Sequence, residues 1–417
     1  MTPQEALDYI ASLAPRGWRL GLDRMQALAD AAGLLRGPQP KFIHIAGTNG
    51  KGTTTAFVQS ILREHGFRTG AYFSPFVYDP LERWQINGAL ILPEELAALT
   101  AELKPIAESF TDTEFGGITE FEFKTALGFL FWQRQACDYV ALEVGLGGRL
   151  DATNIITPAS CAIVSIGLDH QNILGETMAE IAYEKAGIIK AGIPVVVGEM
   201  ADEALKPILA EAARVRAPVM RVGDAVRFAL SDEVCTVETA RGLYRELTPG
   251  IVGAMSAHNL AVAIAAIEAA GVELNEEKVH AGAVKATAPG RFQVVERAGV
   301  TWVLDGAHNA EAAEVLAQTF QRRFPGQKAV LITGMLHGHE PDRLFAALRP
   351  IVERAFCVPI NFHRARSPQE VATAVEAAGI PAQAFGSVRE AVAAVKEGVA
   401  LVTGSYYLVG EVGHELL

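Results

Sequence analysis

The sequence has few cysteines and lacks any long apolar run. Four cysteines in 417 residues, Cys137, Cys161, Cys235 and Cys357, lie far apart and form no Cys-x-x-Cys pair. This spacing argues against a disulfide framework or a zinc knuckle and fits a reducing cytoplasm. No segment approaches the ~20 uninterrupted apolar residues of a membrane-spanning helix. We therefore expect a cytoplasmic protein without a membrane-spanning segment.

Basic residues are outnumbered as well. Thirty-six Lys and Arg stand against 48 Asp and Glu, which gives a formal net charge of −12 and argues against a nucleic-acid or membrane-surface partner. An anionic substrate must then be held by a local site. The sequence shows no internal repeat and no low-complexity tract. Its first residues, "TPQEALDYI", carry a capping box at Thr2 and Glu5 with Pro3 between them, which predicts a folded helix and no signal peptide.

What the sequence does contain is a regular alternation of apolar, β-branched runs with helical patterns. The runs are apolar on both faces, as in parallel strands covered by helices on each side. They are "FIHIAG" (42–47), "YVALEVG" (139–145), "CAIVSIG" (161–167), "IPVVVG" (193–198), "WVLDGA" (302–307), "AVLITG" (329–334) and "ALVTGS" (400–405). The pattern predicts a doubly wound α/β fold, with ligands bound at the carboxyl ends of the strands.

The length and one break in the pattern predict two domains. A chain of this length exceeds what one core usually supports. "AHNLAVAIAAIEAAG" predicts a helix over 258–271, and "KATAPGRFQVVE" then interrupts the helical pattern with a Pro-Gly pair before strands resume. We place the division near residue 289, with domains over 1–289 and 290–417.

The stretch "KFIHIAGTNGKGTTTAFVQSIL" reads as a strand, a glycine-rich turn and a helix. Such a turn directs backbone N–H groups toward a phosphate at the helix N-terminus, Lys51 adds positive charge, and Thr53 or Thr54 offers a hydroxyl to Mg²⁺. An extra glycine after the lysine departs from the common GxxxxGK[ST] loop, and an ordinary strand-to-helix connection is the alternative. The predicted nucleotide-binding residues here are Gly47, Thr48, Asn49, Gly50, Lys51, Gly52, Thr53 and Thr54.

A Mg²⁺-nucleotide site also needs oxygen ligands opposite the phosphates. Glu143 stands at the end of a buried strand, where a carboxylate is costly without a cation, although a solvated glutamate would fit the same local pattern. In "SIGLDHQNILG", Asp169 and His170 directly follow another strand. His170 could reach the metal, whereas an isolated histidine is more often a structural hydrogen-bonding residue.

Taken together, the motifs resemble those of the folylpolyglutamate and dihydrofolate synthases, the folate branch of the Mur ligase superfamily. From about residue 5 to residue 412, the chain carries in family order "HIAGTNGKGTT", "YFSPF…ER", "ITEFEFKTALGF", "LEVGLGGRLDATN", "GLDHQNILGETMAEIAYEKAGIIK", "SAHNLAVA", "PGRFQVV", "LDGAHN" and "GSYYLVGEV". The resemblance implies a P-loop ATPase domain with a mostly parallel sheet, followed by a smaller Rossmann-like α/β domain. It further implies an ATP-dependent ligase that converts a folate carboxylate to an acyl phosphate, which the amine of L-glutamate then attacks.

The resemblance also implies roles for single residues. Ser74, Glu143 and His170 look like Mg²⁺ ligands, with Thr53 as the loop hydroxyl. Lys185 resembles a lysine that is carbamylated in the superfamily and holds a second Mg²⁺, although a lone lysine usually lies on a solvated helix face.

Other implied contacts involve the nucleotide and glutamate. Asn259 resembles an adenine contact, although His258-Asn259 could simply cap a helix. Arg291 and Asp305 resemble triphosphate and ribose contacts from the second domain, although Asp305 could be a turn aspartate. His308 resembles a residue at the glutamate end of the reaction.

The sequence departs from the family pattern at three places, and the contacts that the family's residues make there are not predicted for this chain. Phe76 replaces the histidine of a Ser-Pro-His motif, "GMLHGHEPDRLF" lacks a Lys-Asp pair, and "DGAHNA" lacks a following proline. His337 and His339 alone do not predict a metal site.

Several functional alternatives remain at this point. A peptidoglycan Mur ligase would need a further domain before the loop, and a nucleotide-driven switch would not need Lys185, Arg291 and "LDGAHN" together. An inactive homologue would not need to retain Lys51, Glu143, His170 and Lys185. The acceptor is dihydropteroate, a reduced folate, or both, and the family expectation is a monomer that binds small molecules.

Overall fold

The computed structural model describes residues 1–17, 19–231, 233–338, 340–362 and 364–416. Within these ranges the chain forms two large sheets and one small antiparallel sheet. The predicted α/β class is confirmed: every run predicted as a strand lies in one of the two large sheets and pairs in parallel there. Thr2 and Glu5 form the predicted capping box, since each side chain accepts a hydrogen bond from the other residue's backbone N–H.

The first sheet has the order β4-β3-β2-β5-β1-β6-β7-β8 among the described residues. Its core strands are parallel, while β3 and β4 add an antiparallel edge. Its strands are β1 (Lys41–Ala46), β2 (Thr69–Tyr72), β3 (Trp84–Ile86), β4 (Ala89–Leu90), β5 (Tyr139–Glu143), β6 (Ser160–Ile163), β7 (Val195–Val197) and β8 (Val219–Arg221). Because β1 lies between β5 and β6, the loops that follow these three strands open at one edge of the sheet.

The helices of this half include α1 (Pro3–Ser12), α2 (Asp23–Ala31), α3 (Lys51–Glu64), α4 (Pro93–Glu108), α5 (Glu120–Arg134), α6 (Gln171–Leu174), α7 (Met178–Ala186), α8 (Asp202–Arg214), α9 (Ser256–Ala269) and α10 (Glu276–Lys285). Helix α9 begins before the predicted start at 258, and its N-cap residue Met255 makes no side-chain capping bond. Asn259 therefore lies inside the helix, and the reading of His258-Asn259 as a cap is wrong.

A small sheet was not predicted from the sequence. It consists of β9 (Arg227–Ser231), β10 (Val234–Glu238) and β11 (Leu243–Leu247), paired antiparallel. Cys235 and Val237 of this sheet pack into the core formed with α3 and α9. Tyr244 and Leu247 pack into the same core, and most of the remaining positions of the sheet are exposed.

The second large sheet has the order β12-β13-β17-β14-β15-β16 in the described part of the chain. Its strands are β12 (Gln293–Arg297), β13 (Val300–Leu304), β14 (Ala329–Thr333), β15 (Val352–Cys357), β16 (Ala382–Ala384) and β17 (Gly398–Thr403). The accompanying helices are α11 (Ala310–Arg323), α12 (Pro341–Leu348), α13 (Pro368–Ala377), α14 (Val388–Ala394) and α15 (Tyr406–Leu416). All pairs except β12 with β13 are parallel.

The two large sheets have separate apolar cores. The first sheet packs on both faces against helices, and the second does the same. The division near residue 289 falls between α10 and β12 and stays a prediction. No helix in the described ranges is both long and apolar enough to cross a membrane.

Candidate active site

The glycine-rich turn joins β1 to α3, which begins at Lys51. Gly50 has a φ of +83°, a left-handed conformation that favours glycine. The Lys51 ammonium group is folded back over the turn and donates to the backbone oxygens of Gly47, at 2.9 Å, and Thr48, at 3.1 Å. Burial lowers the pKa of Lys51, and the nearby Glu143 carboxylate partly offsets this effect. The turn therefore places a partly buried cation and a helix N-terminus together, as phosphate binding requires.

A cleft with an empty volume of about 670 Å³ lies above this turn, at the carboxyl ends of β1, β5 and β6. Its lining includes eleven of the residues predicted from the sequence: Gly47, Thr48, Asn49, Gly50, Lys51, Ser74, Glu143, His170, Lys185, Arg291 and His308. Loops from both large sheets thus contribute to one cavity.

Glu143 is the buried carboxylate of this cleft, with 2% of its surface exposed. Its Oε2 accepts a hydrogen bond of 3.0 Å from the Ser74 backbone N–H. Burial raises the pKa of Glu143, and the charge of Lys51 counteracts this rise. A carboxylate in such a position favours a bound cation nearby, because added positive charge stabilises its ionised form.

Lys185 lies in the last turn of α7 and is only 4% exposed, so it does not lie on a solvated helix face. The turn at Gly148 packs against this helix end so closely that a Cβ there would lie 3.0 Å from the Lys185 backbone oxygen. Burial, followed by the charge of Lys51, lowers the pKa of Lys185 to about 7. A substantial fraction of this amine is therefore neutral at neutral pH.

Asp169 connects the loop after β6 to the loop after β13. Its Oδ2 lies 3.5 Å from Nε2 of His308 and accepts a hydrogen bond of 3.2 Å from Nδ2 of Asn309. Asn309 also donates to Oδ1 of Asn49 in the phosphate loop, at 3.2 Å. Burial acts to raise the pKa of Asp169, but the hydrogen bond and charge of His308 outweigh it and hold the pKa well below its ordinary value.

His308 is held from both ring nitrogens. Its Nδ1 lies 2.8 Å from the Gly306 backbone oxygen, while Nε2 faces Asp169. Since both neighbours accept hydrogen bonds, a ring protonated on both nitrogens satisfies both contacts. His308 can therefore present positive charge at the side of the cleft formed by the second sheet.

Tyr406 is a lining residue that sequence reasoning did not select as a site residue. Its ring lies 4.9 Å from the Arg291 guanidinium carbon, a cation–π distance, and 5.7 Å from the His308 ring. Gly306 permits this approach, because a Cβ there would clash with the Tyr406 ring. The sequence feature that could have identified Tyr406 is its position in "GSYYLVGEV", directly after a predicted strand.

A second cavity, with an empty volume of about 970 Å³, adjoins the first and shares Asn49, Gly50 and Arg291 with it. Its walls are largely apolar, with residues such as Ile166, Val315 and Leu316. The predicted contacts Thr53, Asn259 and Asp305 line this cavity. Asp305 accepts hydrogen bonds from the backbone N–H groups of Phe292 and Ala307.

Gly52, Thr53 and Thr54, at the start of α3, lie in different surroundings. Gly52 lies beside Arg291 and Glu143, since a Cβ there would be in ordinary contact with the guanidinium, at 3.5 Å, and with the carboxylate, at 3.6 Å. Thr53 lines the second cavity and not the cleft that contains Ser74, Glu143 and His170. Thr54 is fully buried, its hydroxyl has no hydrogen-bond partner in the described residues, and it lines neither cavity.

The predicted metal ligands are of mixed types. No group of three or more His, Cys, Asp or Glu side chains within the described ranges is arranged to hold an ion. Ser74, Glu143 and His170 nevertheless line the same cleft, which provides one carboxylate, one hydroxyl and one imidazole. His170 has a φ of +51° and also lies beside Asp169, with its Nε2 at 3.9 Å from Oδ1.

Two of the sequence departures lie outside this lining. Phe76 is partly exposed. The His337 backbone N–H donates to the Arg364 backbone oxygen, at 2.8 Å, whereas His339 lies outside the described residues.

Comparison with known proteins agrees with this geometry. The model of the Mur ligase middle domain matches residues 45–267, and that of the Mur ligase glutamate ligase domain matches residues 290–406. The chain is 35% identical to the dihydrofolate synthase/folylpolyglutamate synthase of Bacillus subtilis, and the match covers 99% of both chains. The chain belongs to the folylpolyglutamate synthase/dihydrofolate synthase family. It is therefore an enzyme of the ATP-dependent acid–amino-acid ligase class.

Solved members of the family share the whole fold. Escherichia coli FolC in complex with DHPP and ADP superposes with a TM-score of 0.90 at 32% identity, covering 100% of this chain and 97% of that chain. A bifunctional folylpolyglutamate synthase/dihydrofolate synthase with Mn, AMPPNP and L-glutamate bound gives a TM-score of 0.87 at 31% identity, covering 100% and 98%. The two-sheet architecture is thus that of the family.

Proposed function

We propose that the enzyme uses ATP to join L-glutamate to the carboxylate of a folate, acting on tetrahydrofolates and on dihydropteroate. One observation carries the proposal: the phosphate loop, Glu143 and Lys185 line the same cleft as Arg291 and His308 from the second half of the chain. Full-length similarity to enzymes named for both reactions supports the choice of substrates.

In the proposed first step, a carboxylate oxygen of the folate attacks the γ-phosphorus of ATP. The bond from that phosphorus to the β,γ-bridging oxygen breaks, which yields an acyl phosphate and ADP. Phosphoryl transfer requires mainly positioning and charge neutralisation. We assign both tasks to Lys51, the N–H groups at the start of α3 and the guanidinium of Arg291, and their common position at the cleft supports this assignment.

The second step forms the amide. The neutral amine of glutamate attacks the acyl carbon, the bond from that carbon to the phosphate-bearing oxygen breaks and releases inorganic phosphate, and the amine gives up one proton to the solvent. His308 lies across the cleft from the phosphate loop, held by Gly306 and Asp169. We assign it to the carboxylate groups of the incoming glutamate, which a cationic ring would attract.

The cleft fits a divalent metal ion. Burial raises the pKa of Glu143, so that an added cation would stabilise its ionised form, and Ser74 and His170 add oxygen and nitrogen donors to the same lining. We propose these three residues as the ligands of one Mg²⁺, with Thr53 close to the nucleotide. When bound, the ion would neutralise charge on the phosphates of ATP.

We further propose that Lys185 is carbamylated. Its neutral amine would attack CO₂ to form an N–C bond and release one proton, which leaves an anionic carbamate. The exchange of a buried cation for an anion would remove the repulsion from Lys51 and supply oxygen ligands for a second Mg²⁺.

The test is phosphate release from ATP, measured with dihydropteroate and tetrahydrofolate supplied separately, each with and without glutamate. We expect glutamate-dependent release with both acceptors and none from a Lys51→Ala variant, whose fold and residual nucleotide binding are checked in parallel. Release with one acceptor would restrict the enzyme to that reaction. Release with neither, from folded protein that binds ATP, would refute the assignment of a folate acceptor.

A further inference from the structure

His258 is a buried histidine with a defined partner at each ring nitrogen. It is 1% exposed and lies in the first turns of α9, next to Asn259 in the wall of the second cavity. Its Nε2 lies 3.0 Å from the backbone nitrogen of Glu199, and its Nδ1 lies 3.3 Å from Oδ1 of Asn259. Neither contact is part of the chemistry described above.

The first contact determines where the ring carries its proton. A backbone N–H can only donate, so Nε2 must accept from Glu199 and cannot carry a hydrogen. The neutral ring therefore has its proton on Nδ1, and burial lowers the pKa of His258, in agreement with a neutral ring. Nδ1–H then donates, and only the oxygen of the Asn259 amide can accept from it.

The surroundings keep the imidazole in place. A Cβ at Gly198 would lie 2.8 Å from His258 Nε2, so only glycine at this position lets the strand end approach the ring. The Phe228 ring packs edge-on against the imidazole, with the two ring centroids 5.9 Å apart. The donor to Asn259 is therefore fixed by packing from two separate segments.

The Asn259 amide lies directly beside the phosphate loop. A Cβ at Gly50 would lie 2.7 Å from Oδ1 of Asn259. With Oδ1 oriented by His258, the opposite edge of the amide, which ends in Nδ2, has a fixed direction as well. The order of donor and acceptor that Asn259 presents to the second cavity is then set before any ligand binds.

We propose that His258 is a positioning residue that locks the Asn259 amide in the orientation that selects a 6-amino purine over a 6-oxo purine. The inference rests on the proposed function and on the expected contact of Asn259, in the wall of the second cavity, with the adenine of ATP. It assigns the discrimination between adenine and guanine or hypoxanthine to a histidine that does not itself touch the base.

The chemistry of the base edges explains the selection. On the six-membered edge of adenine, an asparagine amide can make two hydrogen bonds, in which the 6-amino group donates to Oδ1 and N1 accepts from Nδ2, whereas N1 of a 6-oxo purine carries a proton. A 6-oxo purine would place O6 against Oδ1, so that two acceptors face each other. An amide free to rotate by 180° would relieve this clash, and the bond from His258 prevents the rotation.

Two substitutions of His258 separate this role from packing. In His258→Gln, the side-chain oxygen can still accept from Glu199, but the donor to Asn259 is lost. In His258→Asn, the shorter amide can still donate near the place of Nδ1 while the acceptor for Glu199 is lost. Calorimetry with ADP and IDP gives the ratio of their dissociation constants for each protein, and thermal melting reports folding.

We expect the wild-type protein to prefer ADP by about tenfold or more. The ratio should fall about fivefold in His258→Gln, the value of one hydrogen bond, and stay near wild type in His258→Asn. Asn259→Ala should lose the preference whether or not His258 is changed. An unchanged ratio in folded His258→Gln, or a preference that persists in Asn259→Ala, would overturn the inference.

This measurement needs neither folate nor glutamate. Failure of ligation would therefore refute the proposed function and leave the binding ratios to decide on His258. If wild type and His258→Gln gave equal ratios in protein that is active in ligation, only the role of His258 would be refuted.

Discussion

Nε2 of His308 lies 3.5 Å from Oδ2 of Asp169, so that loops from the two large sheets meet at a contact between an imidazole and a carboxylate. Asn309 binds the same carboxylate oxygen and also the phosphate-loop residue Asn49. The phosphate loop and the proposed glutamate end of the cleft are thus connected through side-chain contacts. Substitutions of Asp169 should therefore lower kcat/KM for glutamate.

Asp169→Asn is the first prediction. The variant keeps the shape of the side chain but removes the negative charge that faces His308. We expect kcat/KM for glutamate to fall by about 30-fold or more, the lower bound for breaking a buried charged contact, and the dissociation constant of ADP to change much less. Asp112→Asn, at an exposed position, is the control for the charge change. Equal kcat/KM values in wild type and Asp169→Asn would show that Asp169 does not position His308.

The second prediction concerns Gly50 and uses Gly66 as a matched control. Both have a left-handed φ, +83° and +93°, but a Cβ at Gly50 would meet Asn259 and Val164, whereas a Cβ at Gly66 has nothing within 4 Å. Alanine at either position should cost about 1–2 kcal/mol of folding free energy from backbone strain.

Only the variant at Gly50 should also weaken nucleotide binding, because the added methyl group displaces Asn259 or the loop. Denaturant unfolding and ADP calorimetry on both variants separate the two effects. An ADP affinity that falls equally in Gly50→Ala and Gly66→Ala would argue that the contact with Asn259 is unimportant.

Lys185 provides the third prediction, which is a pH dependence. Its folded pKa is about 7, so the neutral amine that reacts with CO₂ increases as the pH rises through 7 and decreases below it. At constant CO₂ pressure, we expect a carbamate signal in ¹³C NMR of protein equilibrated with ¹³CO₂, strong at pH 8 and weak at pH 6. Lys185→Met should lack the signal. A wild-type spectrum without that signal at pH 8 would exclude the modification.

The fourth prediction concerns stability and His44 in β1. Its Nε2 lies 2.8 Å from Oγ1 of Thr153, and its Nδ1 is buried without a hydrogen-bond partner among the described residues. Burial, followed by the charge of Lys190, lowers the pKa of His44 to about 3. Unfolding therefore takes up a proton between the ordinary histidine pKa of about 6.5 and pH 3, and acid destabilises the fold over that range.

Because of this one group, the free energy of unfolding should fall by about 2 kcal/mol when the pH is lowered from 7 to 5. Chemical denaturation of wild type and His44→Gln at both pH values measures the difference, since glutamine can still donate to Thr153 but does not titrate. Parallel losses of stability in the two proteins would show that His44 is not the titrating group.

The sequence predicted the two parallel sheets because their strands are buried on both faces, which leaves continuous apolar runs such as that of β1. It did not predict β2, whose four residues include a glycine, or the small sheet of β9, β10 and β11, whose positions are mostly exposed. Short or half-exposed strands are defined by their pairing partners, and the local sequence carries little of that information.

The site was predictable to the extent that its residues follow strands or belong to long motifs. Lys51 and Glu143 each follow or end a predicted strand, and the structure brings both to one cleft. The contact of His308 with Asp169 and the proton position on His258 could not be predicted, because each depends on a partner distant in sequence. Such pairs are fixed by tertiary packing alone.

In the proposed mechanism ATP activates the carboxylate of the folate, and oxygen transfer from that carboxylate to phosphate tests this step most directly. An acceptor labelled with ¹⁸O in both oxygens of its reactive carboxylate is turned over with unlabelled ATP and glutamate, and the released phosphate is analysed by mass spectrometry. An acyl phosphate intermediate predicts one ¹⁸O atom in each phosphate, because the labelled oxygen leaves with phosphorus. Product amide formed with unlabelled phosphate would contradict the account.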